Sequence, residues 1–206
     1  MAYPGKYIVI EGGEGSDKSK QANLLFEYLQ GINIDCIRCR EPGTTKTGER
    51  IRKILKNPGS PLTPHQQMEL FLEARDDLFK GVIIPGLNSG KVIVADRSGY
   101  STEAYQGYGD GIDLGLIKKL NYKVTRGIRP DLLFIIDVDE KIGLGKETVK
   151  DKFSAQGPEY HARVNSGYRQ IFQENFDIAV VIQYMEGNIS GMHEEIRAKV
   201  HERLHI

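Results

Sequence analysis

A short stretch near the N-terminus constrains the fold of this 206-residue chain more than any other feature. An apolar run over residues 7–10 ends at a cluster of glycines, and Lys18 and Ser19 then open a helical pattern of apolar residues. This order of strand, glycine-rich loop, Lys-Ser pair and helix is typical of a phosphate-binding loop (P-loop), whose backbone N–H groups and helix N-terminus bind anions. We therefore predict that residues 12–20 bind phosphate groups.

One position of this loop departs from the motif Gly-x-x-x-x-Gly-Lys-Ser/Thr. Gly12, Lys18 and Ser19 match it, but Asp17 replaces the second glycine, the residue type best able to adopt an unusual backbone conformation. A carboxylate so close to bound phosphates would oppose them by about 1–4 kcal/mol, depending on the effective dielectric constant. Lys20 lies one helical turn further on and is the cation that we expect to pair with Asp17.

The composition argues against several classes of protein. The 28 Lys and Arg residues balance the 28 Asp and Glu residues, so the net charge gives no indication of nucleic-acid or membrane binding. No apolar run approaches the roughly 20 residues of a membrane-spanning helix, and residues 1–6 show no signal-peptide segment. We expect one soluble, cytoplasmic domain over residues 1–206. Cys36 and Cys39 fall in a predicted strand, where their spacing places them on opposite faces.

Predicted strands and helices alternate along the chain. The strands cover residues 7–10, 35–40, 91–95, 132–136 and 178–182. The helices cover residues 18–30, 47–56, 64–90 with a bend at Pro85, 113–125, 141–150, 159–176 and 190–204. Residues 98–106 form a polar and aromatic segment that leads into a glycine-rich loop. This alternation predicts an α/β fold, a five-stranded parallel sheet with helices on both faces.

Polar clusters follow three of the predicted strands, at residues 11–19, 40–43 and 96–97. Ligands bind at the carboxyl ends of the strands in such sheets, so these clusters are expected to form one site. Lys18 is suited to contact the β- and γ-phosphates of a nucleotide, and the Ser19 hydroxyl to ligate Mg²⁺. Asp96, at the end of a buried strand, is a candidate for orienting that metal, directly or through water.

Three arginines are candidates for holding a second substrate that carries a phosphate. Arg52 lies on the short second helix, Arg75 on the long helix, and Arg97 next to Asp96. A guanidinium can bind a phosphate through two parallel hydrogen bonds. Phe71 lies one turn before Arg75 on the same helix face, so the two side chains together suit a base and a phosphate. Taken singly, each arginine is more typical of a surface salt bridge, and Phe71 of ordinary core packing.

The motifs together resemble those of one family, the thymidylate kinases (dTMP kinases) among the P-loop nucleoside monophosphate kinases. The matching segments occur in the family's order: the P-loop, Arg40-Glu-Pro-Gly43, Gly48–Arg52, Phe71-x-x-x-Arg75, Asp96-Arg97, Ser101–Gly107, Arg129-Pro-Asp131, Gly143-Leu144 and Arg163–Tyr168. The run from Asp96 to Gly107 is specific to this family among related kinases. The resemblance therefore says more than the P-loop alone.

The resemblance implies the P-loop kinase fold and transfer of the ATP γ-phosphoryl group to dTMP, with Mg²⁺ as the metal ion and a homodimer as the assembly. It assigns ATP to the loop residues Gly12, Gly13, Glu14, Gly15, Ser16, Asp17, Lys18, Ser19 and Lys20. It assigns dTMP to Glu14, Pro42, Arg52, Phe71, Arg75, Arg97, Ser101, Thr102, Tyr105 and Gln106.

Individual roles follow from the same resemblance. Phe71 would stack on thymine, while Arg75 and Gln106 would bond the edge of the base. Arg97, assisted by Arg52, would hold the acceptor phosphate. The deoxyribose would lie near Glu14 and Tyr105, and the floor of the pocket would be shaped by Pro42, in a cis peptide. Lys18, Asp96 and Arg97 are the expected catalytic residues of the core.

Several loop positions differ from the family pattern. Gly15 stands where one type of the family carries an arginine, which implies the bacterial type, whose lid over ATP supplies the basic residues. Lys20 occupies a usual threonine position, and Thr44 a usual glycine position. These departures, with Asp17, predict an altered hold on ATP.

The lid is expected to be small and mobile, at about residues 146–158. Lys146, Lys150 and Lys152 stand where arginines are expected, and Ser154 where a glutamate is expected. We expect Lys146 and Lys152 to assist catalysis, with weakened transition-state stabilisation because lysine lacks the planar fork of arginine. The alternative interpretation is a solvated, lysine-rich loop.

Two other functions stay open at this point. A related kinase that accepts another monophosphate, such as dUMP, would use the same kind of site. A nucleotide-binding homologue with little or no catalysis is favoured by Asp17, Ser154 and the lid lysines. It is opposed by the retained residues Lys18, Ser19, Arg75, Asp96 and Arg97.

Overall fold

The structure, a computed structural model, describes residues 3–146 and 152–206. In these ranges five strands form one parallel sheet in the order β2-β3-β1-β4-β5. The strands are β1 (Lys6–Gly12), β2 (Cys36–Arg40), β3 (Val92–Asp96), β4 (Leu132–Asp137) and β5 (Ala179–Gln183). The predicted five-stranded parallel sheet is therefore confirmed.

Helices connect the strands and cover the sheet. They are α1 (Lys18–Gly31), α2 (Lys46–Lys56), α3 (Pro64–Leu78), α4 (Ile84–Asn88), α5 (Gly99–Thr102), α6 (Leu114–Thr125), α7 (Glu140–Gly145), α8 (Pro158–Glu174) and α9 (Ile189–Leu204). Tyr7 and Val9 pack into the core on one face of the sheet, and Ile8 and Ile10 into the core on the other. Residues 7–10 of the central strand are thus all apolar because both faces of the strand are buried.

The two cysteines follow the same alternation. Cys39 is buried in the core that contains Tyr7, whereas Cys36 packs against the opposite core. Both thiols are free. Their predicted placement on opposite faces is confirmed.

The register of the strands brings their carboxyl ends together. Asp96 is the partner of Ile10 on one side and of Arg40 on the other. Gly12, the last residue of β1, lies beside Ile136 of β4. The P-loop and the segments after β2 and β3 therefore start from the same edge of the sheet.

The predicted long helix is interrupted rather than simply bent. It begins after Thr63, which is its N-cap, and Gln66 completes a capping box. A π-helical turn over Phe79–Ile83 separates α3 from α4, directly before Pro85. Because proline has no N–H group and crowds the preceding turn, a widened turn at this place has a clear local cause.

The prediction of a glycine-rich loop at residues 107–111 was wrong for its first three residues. Helix α5 continues as a π-helical segment over Glu103–Gly109, so only the last part is irregular. Gly107 and Gly109 allow close packing here, since an added Cβ would lie 2.4 Å from Leu114 and 2.8 Å from Tyr160. The glycines that suggested a loop are thus required by helix packing.

The helix predicted over residues 141–150 ends at Gly145 in the described part of the chain. Residues 147–151, which include Lys150 and part of the expected lid, lie outside the described residues. Among the described helices, none combines the length and the apolar character needed to cross a bilayer.

Candidate functional site

A cavity of about 720 Å³ opens at the carboxyl edge of the sheet, where the P-loop meets the segments after β2 and β3. Most of the predicted site residues line it: Glu14, Gly15, Asp17, Lys18, Ser19, Lys20, Pro42, Arg52, Phe71, Arg75, Asp96, Arg97, Ser101, Thr102, Tyr105, Gln106 and Lys146. The residues predicted from distant parts of the sequence are therefore brought to one site.

The P-loop is closed on itself by short hydrogen bonds. The Ser16 Oγ and the Lys18 Nζ each donate to the Gly13 carbonyl oxygen over 2.9 Å. Gly12, Gly13 and Ser16 form the buried base of the loop, whereas residues 17–20 line the cavity. Burial, followed by the charge of Arg97, lowers the pKa of Lys18, so an anion beside this ammonium group would relieve both effects.

Two of the residues that depart from the family pattern adopt an unusual backbone conformation. Asp17 has a φ of 59° and Thr44 a φ of 70°, both in the left-handed region. Aspartate tolerates this region better than most residues, whereas threonine is β-branched and is disfavoured there. The expectation that Asp17 occupies a conformation suited to glycine is confirmed.

The charge of Asp17 is paired, but not with the residue that we expected. Its carboxylate accepts a hydrogen bond from Lys146, the residue that follows α7. In the described part of the chain, the ion pair of Asp17 does not include Lys20, whose side chain is exposed. The predicted Asp17–Lys20 pair is wrong because Asp17 points across the loop towards α7 rather than along α1.

Arg97 lines the cavity, and its guanidinium is held by three side chains. Its guanidinium donates to Glu14 Oε1 over 3.0 Å and to Ser101 Oγ over 3.1 Å, and it lies 5.1 Å from the centre of the Tyr105 ring. The Tyr105 hydroxyl donates to the same Glu14 oxygen over 2.7 Å. Burial alone would raise the pKa of Glu14, but Arg97, Lys18 and this hydrogen bond lower it to about 2. Glu14 is therefore a carboxylate at neutral pH.

Sequence reasoning gave no role to Glu11, although this residue stands in the matched P-loop segment. It is fully buried, and its carboxylate accepts five hydrogen bonds. The donors are Ser98 N and Oγ, Ser101 N and Oγ, and Tyr168 Oη, at 2.6–3.1 Å. Glu11 thus fixes the segment after β3, which carries Arg97.

Arg75 is almost completely buried, at 1% exposure, and is part of a polar network. Its Nε donates to Glu41 over 2.6 Å and its Nη1 to Asn121 over 2.7 Å. Its Nη2 donates to the Ser98 carbonyl and to Thr102 Oγ1, both over 3.1 Å. Four bonds to a group with five N–H donors orient the guanidinium fully while it lines the cavity.

Arg52 also lines the cavity. Its Nη1 donates to the Pro42 carbonyl over 3.1 Å, and the Glu41–Pro42 peptide is cis, as the resemblance implied. Burial, with the nearby charges of Arg40 and Arg97, lowers the pKa of Arg52. Cations that converge in this way favour a bound anion.

Comparisons with known proteins agree with this geometry. A family model described as thymidylate kinase matches residues 10–196. Thymidylate kinases of Dehalococcoides mccartyi (strain CBDB1) and Carboxydothermus hydrogenoformans are 34% and 39% identical to this chain, over 97% and 82% of it and 95% and 85% of their own lengths. The crystal structure of thymidylate kinase from Ehrlichia chaffeensis aligns with a TM-score of 0.80 and 33% identity, over 95% of this chain and 97% of that one.

The chain belongs to the thymidylate kinase family. The family and the fold that the resemblance implied are therefore confirmed.

The P-loop of this thymidylate kinase family member has no room for a side chain at Gly15. An added Cβ there would lie 2.2 Å from the Gly143 carbonyl oxygen, and a Cβ on Gly143 would lie 2.2 Å from the Glu14 carbonyl oxygen. Gly15 also has a φ of 67°. Direct backbone contact between the loop and α7 explains why no arginine stands at this position.

The described end of the expected lid lies over the predicted acceptor end of the cavity. The Phe153 ring lies 5.9 Å from the Phe71 ring and 6.2 Å from the Tyr105 ring, measured between centroids. Lys152 does not line the cavity, and its Nζ donates to the carbonyl oxygens of Ser60 and Leu62, each over 2.9 Å. The structure thus places Phe153, which sequence reasoning gave no role, in the site and turns Lys152 away from the P-loop.

The oxygen donors on the cavity wall fit the expected magnesium ion. Ser19 and Asp96 both line the cavity. Asp96 forms an ion pair with Arg38, whose Nη2 lies 3.8 Å from Asp96 Oδ2. Among the described residues, no group of three or more His, Cys, Asp or Glu could hold a metal by itself. Mg²⁺ commonly takes one or two protein ligands and completes its shell with waters and substrate phosphates. This donor set suits Mg²⁺ that is bound together with a nucleotide.

Proposed function

We propose that this chain is an ATP-dependent dTMP kinase that transfers the γ-phosphoryl group of ATP to dTMP and forms dTDP. The observation that carries the proposal is the single cavity, in which a P-loop faces a cluster of Arg97, Arg52 and Phe71. A donor site and an acceptor site in one enclosed space are what phosphoryl transfer between two nucleotides requires.

The acceptor end suits a thymidine monophosphate. Phe71 stacks on the base, and Arg75 and Gln106, both buried, bond its polar edge. Arg97 and Arg52 bind the phosphate, which relieves the repulsion between these two cations. Because Tyr105 is fixed by its bond to Glu14, its ring forms a rigid wall beside the sugar.

The donor end suits the triphosphate of ATP. Residues 12–20 bind it through backbone N–H groups and the N-terminus of α1, and Lys18 exchanges its bond to the Gly13 carbonyl for a phosphate oxygen. Arg97 lies between the two ends and stabilises charge on the transferred group. Mg²⁺, held by Ser19 and Asp96, would neutralise charge on the phosphates when bound.

Two lid lysines, Lys146 and Lys152, assist the reaction in this proposal, and they start from different positions. Lys146 lines the cavity beside Asp17 and is close to the donor end. Lys152 must leave the carbonyl oxygens of Ser60 and Leu62 before it can assist the reaction. We also propose that the protein is cytoplasmic and forms a homodimer, and light scattering on the purified protein tests the dimer.

The test is a kinase assay with Mg-ATP and the acceptors dTMP, dUMP, dCMP and AMP. We expect selective formation of dTDP. Arg97→Ala should lower kcat/KM by about 10²–10³-fold, as the loss of a charge-stabilising group does in comparable enzymes. Arg52→Ala should raise the KM for dTMP, whereas Arg50→Ala is the matched control, since Arg50 lies on the same helix and pairs with exposed Glu73.

The assay also separates the alternatives. Preferred phosphorylation of dUMP would identify a related kinase, and turnover only after Asp17→Gly would identify an impaired homologue. Intact nucleotide binding without turnover in either chain would overturn the proposal.

A further inference from the structure

The carboxylate in the P-loop does not act as a helix cap, although it stands at the N-cap of α1. Asp17 makes no side-chain capping bond to the helix, and its left-handed backbone directs the side chain elsewhere. The carboxylate lines the donor end of the cavity and accepts its hydrogen bond from Lys146, which is 129 residues away along the chain.

Lys146 is held in place from two sides. Its Nζ donates to the Tyr184 hydroxyl over 2.7 Å and lies 4.7 Å from the centre of the Tyr184 ring. The backbone of Tyr184 is itself bonded to Asp137 at the end of β4. Helix α7, which ends just before Lys146, touches the P-loop backbone where Gly143 meets Gly15. The ammonium group is therefore held next to Asp17 by contacts within the chain itself.

The ion pair of Lys146 and Asp17 is partly shielded from solvent, so its charges influence binding. The side chains of Lys146 and Asp17 are 31% and 23% exposed, and both line the donor end of the cavity. Attraction and repulsion between charges are stronger there than in bulk water, where an exposed pair contributes little. Lys20, three residues after Asp17, is exposed and contributes no such contact in the described structure.

We propose that Lys146 is the fixed counter-ion of Asp17, and that ATP binds more tightly to this P-loop because the pair masks the carboxylate. The proposal rests on ATP being the donor in the proposed function. Lys146 is then a positioning residue that acts through Asp17, and the chain carries its own compensation for an aspartate in place of glycine.

A double-mutant cycle distinguishes this role from direct contact between Lys146 and ATP. If Lys146 masks Asp17, Lys146→Met exposes an unpaired carboxylate to the phosphates, and the loss disappears when Asp17 is absent. If Lys146 binds a phosphate itself, Asp17→Gly frees it for that contact. The loss on Lys146→Met is then at least as large in the Asp17→Gly background. The sign of the coupling energy between Lys146 and Asp17 therefore distinguishes the counter-ion role from direct contact with ATP.

The measurement is calorimetric titration with the magnesium complex of a non-hydrolysable ATP analogue, so that it does not depend on phosphoryl transfer. We expect Lys146→Met to weaken binding by about tenfold or more in the parent chain, which corresponds to about 1.4 kcal/mol, and by less than about threefold in the Asp17→Gly background. Lys119→Met, an exposed lysine outside the cavity, is the charge-matched control. A parallel cycle with Asp17→Asn keeps the side-chain shape and covers failure of the glycine variant to fold.

The outcomes separate this inference from the proposed function. Equal losses in both backgrounds, or a larger loss in the Asp17→Gly background, would overturn the counter-ion role and leave ATP binding intact. Absence of any binding by the parent chain would remove the proposed donor, and with it both proposals. If Lys119→Met weakened binding as much as Lys146→Met, the loss would come from the change in net charge alone. That result would also overturn the inference.

Discussion

Glu11 lies at the carboxyl end of β1 and shows how much a single buried side chain can organise. Its carboxylate has no exposure to solvent and is surrounded by donors from Ser98, Ser101 and Tyr168. A buried charge is tolerated only where hydrogen bonds satisfy it, and these bonds also hold the backbone that leads into Arg97.

Replacement of Glu11 by glutamine should therefore damage both stability and activity. The new NH₂ group faces donors instead of accepting from them, which we expect to cost about 2–4 kcal/mol in the free energy of unfolding. The same change lets Arg97 move, so kcat/KM should fall. Urea unfolding and the kinase assay measure the two effects. Glu27→Gln, on the exposed side of α1, is the control, and a loss of similar size there would contradict the explanation.

The buried carboxyl group of Glu103 predicts that the stability of the protein depends on pH. Burial raises its pKa to about 7, and Lys118 only partly opposes this effect. A folded-state pKa above the unfolded value means that stability present at pH 4 is lost as the pH rises through 7. Glu103→Gln should thus stabilise the protein at pH 8 by up to about 3 kcal/mol and have little effect at pH 4.

Urea unfolding at the two pH values tests this prediction. Exposed Glu69→Gln on α3 is the matched control, for which we expect no such pH-dependent difference. Equal effects of Glu103→Gln at both pH values would contradict a buried, titrating carboxyl group.

At the scale of elements, the contact between α7 and the P-loop depends on glycine. Gly143→Ala would force its Cβ to within 2.2 Å of the Glu14 carbonyl oxygen, so α7 must move off the loop. We expect a loss of about 1–3 kcal/mol in stability and weaker binding of ATP. Gly145 is two residues further on, and nothing lies within 4 Å of a Cβ added there. Gly145→Ala should be neutral or slightly stabilising in the same unfolding and titration experiments.

The segment that carries Phe153 joins two other elements across the acceptor end. Its ring contacts Phe71 of α3 and Tyr105 of the π-helical segment, so it closes the cavity above the proposed base site. Phe153→Ala should raise the KM for dTMP by about fivefold to tenfold through lost apolar contact. Steady-state kinetics with dTMP as the varied substrate provide the measurement. A lower KM in this variant would mean that Phe153 blocks the base site instead of closing it.

At the scale of the whole molecule, acceptor binding should be visible as stability. A ligand that binds only the folded chain stabilises it by about 2.7 kcal/mol at 100 times its Kd. For a chain of this length that corresponds to a rise in Tm of roughly 5–10 °C. Thermal unfolding should show this rise with dTMP and a smaller one with dCMP at equal concentration. Equal shifts for the two nucleotides would contradict selective recognition of the base.

Much of this molecule was predictable from local patterns. The alternation of apolar runs with helical periodicity identified the five strands of the sheet. The P-loop and its unusual backbone at Asp17 were predictable for the same reason, because both depend on residues within a few positions. The ordered motifs also identified the family, which the comparisons confirm.

The rest depends on contacts between distant residues, which local patterns do not encode. The glycines at 107 and 109 suggested a loop, but packing against Leu114 and Tyr160 requires them in a helical segment. Lys20 was the nearest cation to Asp17 in sequence, yet the path of the chain through β4 and α7 brings Lys146 to it. Sequence alone thus determined the fold class, the loop and the set of candidate residues. Tertiary structure decided which charges meet, because ion pairing depends on distance in space and on burial.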